Sequence, residues 1–190
     1  MKKCKLNYSG FFISMVCLVL FSCSARTVYV QPHISPVAVE KILGDEAGIY
    51  ISPDDLSKTY TKDSTFGGKF RVPLGSPLKE CAQEAFLPFF KRVYFIGAKN
   101  FSDGSYVIEV SLTDYEVTEG LDTHLTLSCT ISTSEKTIFS GDFTGDGSGS
   151  VKKSLFNEDM AREEMRESTE EAFIQAFKKA QTKLNENLKE

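Results

Sequence analysis

The sequence predicts an α+β domain in which an antiparallel β-meander carries one helix and a long C-terminal helix on the same face. Three observations lead to this fold class. Apolar and polar residues alternate without a break over 125–132 (LTLSCTIS), as in a strand with one covered and one solvated face. An apolar stripe at helical spacing runs through 159–188, which predicts an amphipathic helix of up to 30 residues. The 190 residues suffice for one domain with its own core.

The first half of the chain carries short elements. Residues 24–36 (SARTVYVQPHISP) contain two prolines and predict an extended tether, in which the alternating run 28–30 could form an edge strand. A short strand is predicted at 49–51 and a polar loop at 54–68, which ends in two glycines. Ser76 followed by Pro77 predicts the start of a helix, with Ser76 as its N-cap and a proline in the first turn.

The second half of the chain supplies the meander. A continuous apolar run at 93–96 predicts a strand, and alternation predicts further strands at 106–117, 125–132 and 138–143. Three consecutive strands with one apolar face are typical of an antiparallel sheet that is covered on one side. The glycine-rich stretch 145–150 (GDGSGS) predicts a flexible link to the long helix.

The composition narrows the class of protein. With 41% hydrophobic and 25% charged residues, the chain fits neither a disordered tail nor a polytopic membrane protein. Its 26 acidic residues exceed its 22 basic residues, which gives a formal net charge of −4 at pH 7. A nucleic-acid binder would need a basic face, so no nucleic-acid partner is predicted.

The N-terminus has the composition of an export signal. Lys2, Lys3 and Lys5 precede an apolar stretch at 11–21 (FFISMVCLVLF). As a helix this stretch would measure about 16 Å, roughly half of the hydrocarbon thickness of a bilayer. It therefore predicts a signal peptide that is removed from the mature protein.

Residues 20–23 (LFSC) resemble the lipobox of bacterial lipoproteins, with Leu20 at position −3, a small residue at −1 and Cys23 after the cleavage site. The resemblance implies that the Cys23 thiol receives a diacylglycerol and that its new amino group is acylated. Phe21 departs from the short residues usual at −2, and a plain secretory signal with a chance cysteine is the alternative. Ser24 favours the outer membrane, since an aspartate there would favour inner-membrane retention.

Three regions follow from this processing. Residues 1–22 are the signal peptide, 23–47 carry the lipid anchor and tether, and 48–190 form one α+β domain. Cleavage removes three lysines and no acidic residue, so the formal net charge changes from −4 to −7. Acyl chains, and not attraction to anionic lipid, are therefore expected to hold the mature protein to its membrane.

Cys81 and Cys129 are the two cysteines that remain free for other chemistry after processing. Their spacing matches no zinc or Cys-x-x-Cys pattern. They form either a structural disulfide, which the exported location permits, or two buried thiols. His33 and His124 have no metal ligand at a suitable spacing, so no metal and no cofactor other than the covalent lipid is predicted.

Aromatic residues crowd the junction between the predicted helix and the strand after it. Phe86, Phe89, Phe90 and Tyr94 are more than one apolar face can bury. An exposed aromatic cluster would be an interaction surface. A core that covers both sides of the junction is the favoured alternative.

The order of elements resembles that of small outer-membrane lipoproteins of the YajG type. More loosely, residues 103–115 (DGSYVIEVSLTDY) resemble a strand of the LPS-assembly lipoprotein. These families imply no catalytic residues. The resemblance implies a non-enzymatic, lipid-anchored protein that faces the periplasm, or the cell surface, and binds another envelope protein as an adaptor or assembly factor.

A second class of function is a periplasmic small-ligand binder or hydrolase with a carboxylate-based site. Asp114, Glu116 and Glu119 lie near the turn after a predicted strand and are the candidate carboxylates. Such a function requires a concave site in which at least one carboxylate has a raised pKa. Acidic residues around a turn are usually solvated, which favours the adaptor.

Overall fold

The computed structural model describes residues 25–39, 42–63, 68–100, 105–150 and 157–189. Within them the strands are β1 (Arg26–Thr27), β2 (Gly44–Tyr50), β3 (Thr59–Asp63), β4 (Lys69–Pro73), β5 (Phe90–Phe95), β6 (Tyr106–Val117), β7 (Thr123–Ser132) and β8 (Thr137–Gly147). The helices are α1 (Pro53–Ser57), α2 (Gly75–Phe86) and α3 (Glu158–Asn187), and a short 3-10 turn, Leu87–Phe89, follows α2. The predicted α+β class is confirmed.

The main sheet has the strand order β5-β2-β6-β7-β8. Its last three strands form the predicted antiparallel meander. However, β2 pairs in parallel with both β5 and β6, so the sheet as a whole is mixed. The sequence pattern identifies a half-buried strand but not the direction of its neighbour, which is why the parallel pairs were not predicted.

A second sheet has the strand order β1-β4-β3, and its strand β3, together with α1, occupies the described part of 54–68, where a polar loop was predicted. Its strand β3 covers the free edge of β6, which extends beyond its pairing with β2. Lys58 Nζ donates to the Leu112 carbonyl (2.7 Å), and Lys62 Nζ donates to the Val117 carbonyl (3.0 Å). The segment is polar because its side chains satisfy the backbone of the neighbouring sheet.

Helix α3 lies across β7 and β8, close to the predicted boundaries, and begins with Asn157 as its N-cap. Its backbone meets β8 at two glycines. A Cβ on Gly145 would lie 1.8 Å from the Ala172 carbonyl oxygen, and one on Gly147 would lie 1.7 Å from that of Ser168. The prediction of a flexible link is therefore wrong for 145–147, where glycine permits close helix–strand packing.

Helix α2 begins slightly earlier than predicted. Leu74 occupies the N-cap position without a side-chain cap, whereas Ser76 lies inside the helix and donates from Oγ to Glu80 (2.9 Å). The N-cap prediction for Ser76 is thus wrong by two residues.

The tether predicted within 23–47 is wrong for its described part. Val28, Val30 and Ile34 are buried in the core, and β1 pairs in parallel with β4. Residues 44–47 already belong to β2. The two prolines of the segment are compatible with an extended chain that packs by its side chains, so proline content did not distinguish a packed segment from a free one.

We call residues 26–38 the N-terminal strap, because they run alongside α3 over most of its length. Polar contacts join the strap to successive parts of this helix: Arg26 to Glu158 (2.8 Å), the Gln31 amide to Glu170 (2.9 Å) and the Ala38 carbonyl to Asn185 (3.4 Å). The strap therefore begins at the start of α3 and ends near its C-terminus.

Candidate functional site

Cys23, the predicted lipidation site, lies outside the described residues, so its modification stays a prediction. The described chain begins at Ala25, and the Arg26 side chain is 46% exposed at one end of the domain. Among the described helices, none is sufficiently long and apolar to cross a membrane.

Cys81 in α2 and Cys129 in β7 are both buried and carry free thiols. Of the two alternatives predicted for Cys81 and Cys129, the structure has two buried thiols and no disulfide between them. Burial raises the pKa of the Cys129 thiol to about 12, with a smaller effect of Asp142. Burial also raises the pKa of Cys81, assisted by the nearby negative charges of Glu84 and Glu80. Neither thiol is a nucleophile at neutral pH, because the thiolate is the reactive form.

Three of the four aromatic residues predicted as a possible interaction surface belong to the core. Phe86, Phe89 and Phe90 are buried. The Phe86 ring packs edge-on against Phe177 of α3, and Phe90 packs against Tyr106 of β6. The prediction of an exposed cluster is therefore wrong for these phenylalanines. The 3-10 turn changes the direction of the chain, so that rings on different sides of the junction are covered by α3 and by β6.

Tyr94 is exposed (39%). The strand register places it on the face of the main sheet that α3 does not cover. The Arg92 guanidinium lies 5.7 Å from the centre of the Tyr94 ring, a cation–π contact. Arg92 also forms an ion pair with Glu46 of β2, its register partner. The parallel pairing of β2 with β5 creates this contact, which sequence spacing did not reveal.

The same face continues onto β2 and β6. Tyr50 is the register partner of Glu109, and the Lys99 ammonium lies 5.2 Å from the centre of the Tyr50 ring. Lys99 also pairs with Glu109. We call this surface the Tyr94 patch, and it consists of Glu46, Tyr50, Arg92, Tyr94, Lys99 and Glu109. Tyrosine and arginine are the residue types that most often dominate binding energy at protein interfaces.

The predicted carboxylates Asp114, Glu116 and Glu119 are all exposed, at the opposite end of β6. Glu116 lies opposite His124 on β7, and His124 Nδ1 is hydrogen-bonded to Asp146 of β8 (2.6 Å). The hydrogen bond with Asp146 raises the pKa of His124, and the charges of Asp146, Glu116 and Asp122 add to this effect. Sequence reasoning missed the pair because 22 residues separate its members.

This row of acidic and imidazole groups is solvent-exposed on an open sheet face. Two surface cavities, of about 200 and 410 Å³, are lined by other residues. In the described ranges, no three His, Cys, Asp or Glu side chains are grouped so that they could hold a metal ion. The arrangement orients the His124 ring and stabilises its protonated form.

No family model and no curated protein sequence matches the chain significantly. Among solved structures, a Xanthomonas campestris protein of the DUF330 family is similar, with a TM-score of 0.52 and 13% identity. The alignment covers 88% of this chain and 96% of that one.

Two further crystal structures are similar at lower scores. A minor lipoprotein from Acinetobacter baumannii has a TM-score of 0.44 and 12% identity, over 80% of this chain and 96% of that one. A hypothetical protein from Chlamydia trachomatis has a TM-score of 0.41 and 8% identity, over 76% and 98%. At a TM-score of 0.52 and 13% identity, the chain shares its overall fold with the Xanthomonas campestris protein, and the similarity extends to the fold alone.

Proposed function

We propose that the chain is a lipid-anchored, non-enzymatic protein of the bacterial envelope that binds another envelope protein through the Tyr94 patch. The observation that carries this proposal is the patch itself, an exposed Tyr94 with Arg92 on the sheet face opposite α3. The proposed location is the outer membrane, with the domain facing the periplasm.

The lipid anchor is supported by sequence and fold together. The lipobox-like 20–23 (LFSC) places Cys23 only two residues before the first described residue. Because Arg26 is at the surface, acyl chains on Cys23 can enter a bilayer without unfolding the domain. Stable anchoring takes more than one acyl chain, which a diacylglycerol and an N-acyl group together supply.

The binding role is supported by the chemistry of the patch. Its charged residues are paired with each other, Arg92 with Glu46 and Lys99 with Glu109. A partner can therefore cover the two tyrosine rings without leaving an uncompensated charge. Next to the patch, β7 presents small hydroxyl residues, which leave a flat surface for a protein partner: Thr126, Ser128 and Thr130.

A periplasmic hydrolase is the second candidate, and the observation that favours it is the Glu116–His124–Asp146 row. Asp146 orients the His124 ring through Nδ1, an arrangement that leaves Nε2 available as a base. A His124→Ala variant that keeps its full cellular function would exclude this candidate.

The adaptor proposal is tested by photo-crosslinking in living cells. A photo-crosslinking amino acid replaces Tyr94, and a matched control replaces Thr182, an exposed residue on α3 far from the patch. The proposal predicts one specific envelope protein crosslinked through position 94 and not through position 182. Equal crosslinking at both positions, or none at 94, would contradict it.

A further inference from the structure

The N-terminal strap is fixed at its beginning, close to the proposed anchor. Arg26 forms ion pairs with Glu158 (2.8 Å) and Asp159 (3.6 Å) in the first turn of α3. The Val28 amide donates to the Arg71 carbonyl of β4 (2.8 Å), which continues the pairing of β1. Because Val28 is also fully buried, the chain is fixed within a few residues of Cys23.

Covalent geometry limits how far the anchor lies from the domain. Arg26 is the third residue after Cys23, and three fully extended residue steps span at most about 11 Å. Helix α3, with 30 residues, is about 45 Å long. An acylated Cys23 can therefore reach only the end of the domain at which α3 begins.

We call this the anchor end, and several elements meet there. The turn at 118–122 joins β6 to β7, and the Gly149 amide at the end of β8 donates to Asp122 of that turn (3.0 Å). Lys62 at the end of β3 contacts the last residue of β6. This end carries charges of both signs: Glu119 and Asp122 lie on the turn, and Arg162 pairs with Asp159 in α3 (3.3 Å). Such a surface suits zwitterionic lipid headgroups better than a strongly anionic membrane.

We infer that the strap holds the domain directly against the bilayer, with the anchor end facing the lipid headgroups, so that the domain does not move on a free tether. This inference rests on the proposed lipidation of Cys23. It also sets the position of the Tyr94 patch. Strand β6 runs from Val107, beside the patch, to Val117 at the anchor end, a distance of about 30 Å.

The patch is therefore presented well beyond the headgroup layer, which is only about 5–8 Å thick. A protein partner can bind it while the anchor stays in the membrane. A free tether would instead let the patch rotate and move over a wide range of heights. The strap thus makes the protein an oriented platform, whose interaction surface faces away from its own membrane.

The test measures the height of two positions on the same helix. Met160→Cys lies in the first turn of α3 and Glu186→Cys in its last turn, and both native side chains are exposed (43% and 58%). Each variant of the full, lipidated protein is labelled with a fluorophore. Cys81 and Cys129 stay unlabelled because they are buried, and the Cys23 thiol carries the lipid.

The labelled proteins are reconstituted into vesicles of phosphatidylethanolamine and phosphatidylcholine that contain a nitroxide-headgroup lipid. The inference predicts a several-fold greater loss of fluorescence at position 160 than at 186. A flexible Gly/Ser linker, as long as the strap and inserted between Ser24 and Ala25, should abolish this difference. Equal quenching at both positions without the linker would overturn the inference.

Mass spectrometry of the N-terminal peptide distinguishes a wrong orientation of the domain from a wrong assignment of the lipid anchor. If Cys23 is acylated and quenching is equal, the orientation is wrong and the proposed anchoring stands. If Cys23 is unmodified, the anchoring is wrong and the inference that rests on it is overturned as well.

Discussion

Because α3 packs closely on β8, the addition of one methyl group at Gly145 should lower the free energy of unfolding substantially. In Gly145→Ala, the new Cβ would lie 1.8 Å from the Ala172 carbonyl oxygen, well inside van der Waals contact. The atoms in the way belong to the helix backbone, so no side-chain rotation can relieve the clash. Helix α3 would have to move by more than about 1 Å along its contact with the sheet, which loosens the packing of neighbouring residues.

Overpacking of this kind costs typically about 1–3 kcal/mol, and a clash with backbone places Gly145→Ala at about 3 kcal/mol. For a domain of this size we expect the melting temperature to fall by about 6–12 °C. Urea unfolding followed by far-ultraviolet circular dichroism gives the free energy, and thermal unfolding gives the temperature. Gly97→Ala is the matched control, because nothing lies within 4 Å of its added Cβ.

The control variant should unfold within about 0.5 kcal/mol of the wild type, as surface substitutions usually do. If Gly145→Ala unfolds at the same urea concentration as Gly97→Ala, the close contact between α3 and β8 does not exist. In that case glycine is not required at position 145, and α3 does not lie where the structure places it.

Three further predictions follow from buried or paired groups. NMR titration should give His124 a pKa above its ordinary value, and Asp146→Asn should lower it; the stabilisation by this pair is present at acidic pH and lost as pH rises through the raised pKa. A thiol reagent at pH 7 should modify Cys81 and Cys129 only after urea is added, and rapid native-state labelling would contradict their burial. Ile34→Ala should lose about 2–5 kcal/mol of unfolding free energy, whereas a free tether would show no change.

The meander and the long helix could be predicted from the sequence because their signals are local. Alternation in 125–132 and the helical stripe in 159–188 each depend on neighbours within a few residues, and the structure places β7 and α3 there. Burial of Cys129 follows from the same alternation. Predictions were reliable where one element buries one face against a large core.

The elements that were missed depend on contacts between distant parts of the chain. The segment around β3 is polar because Lys58, just before the strand, and Lys62, within it, donate to backbone carbonyls of β6, which no local sequence pattern indicates. Val28 and Val30 alternate with the exposed Tyr29, a pattern that indicates a strand, but the sequence did not show that this segment is packed into the core and is not a tether. Gly145 is required by a helix that begins more than ten residues later.

The residues of the candidate site could likewise be predicted from the sequence only in part. Tyr94 was one of four aromatic residues that the sequence offered as an interaction surface, and the sequence did not distinguish it from the three that are buried. Its charged neighbours Arg92 and Glu46 are 46 residues apart and meet only through the parallel register of β2 and β5. The pair of His124 and Asp146 was missed for the same reason, because it depends on the register of β7 and β8.

The proposed anchoring of this chain through Cys23 is tested by analysis of the N-terminus of the mature protein. Membranes from cells that produce the full-length chain are separated from soluble protein, and the N-terminal peptide of the mature protein is analysed by mass spectrometry. We expect membrane-bound protein that begins at Cys23, with the mass of a diacylglycerol and an N-acyl chain, and soluble or unprocessed protein for Cys23→Ala. A mature wild-type protein with an unmodified Cys23 in the soluble fraction would contradict it.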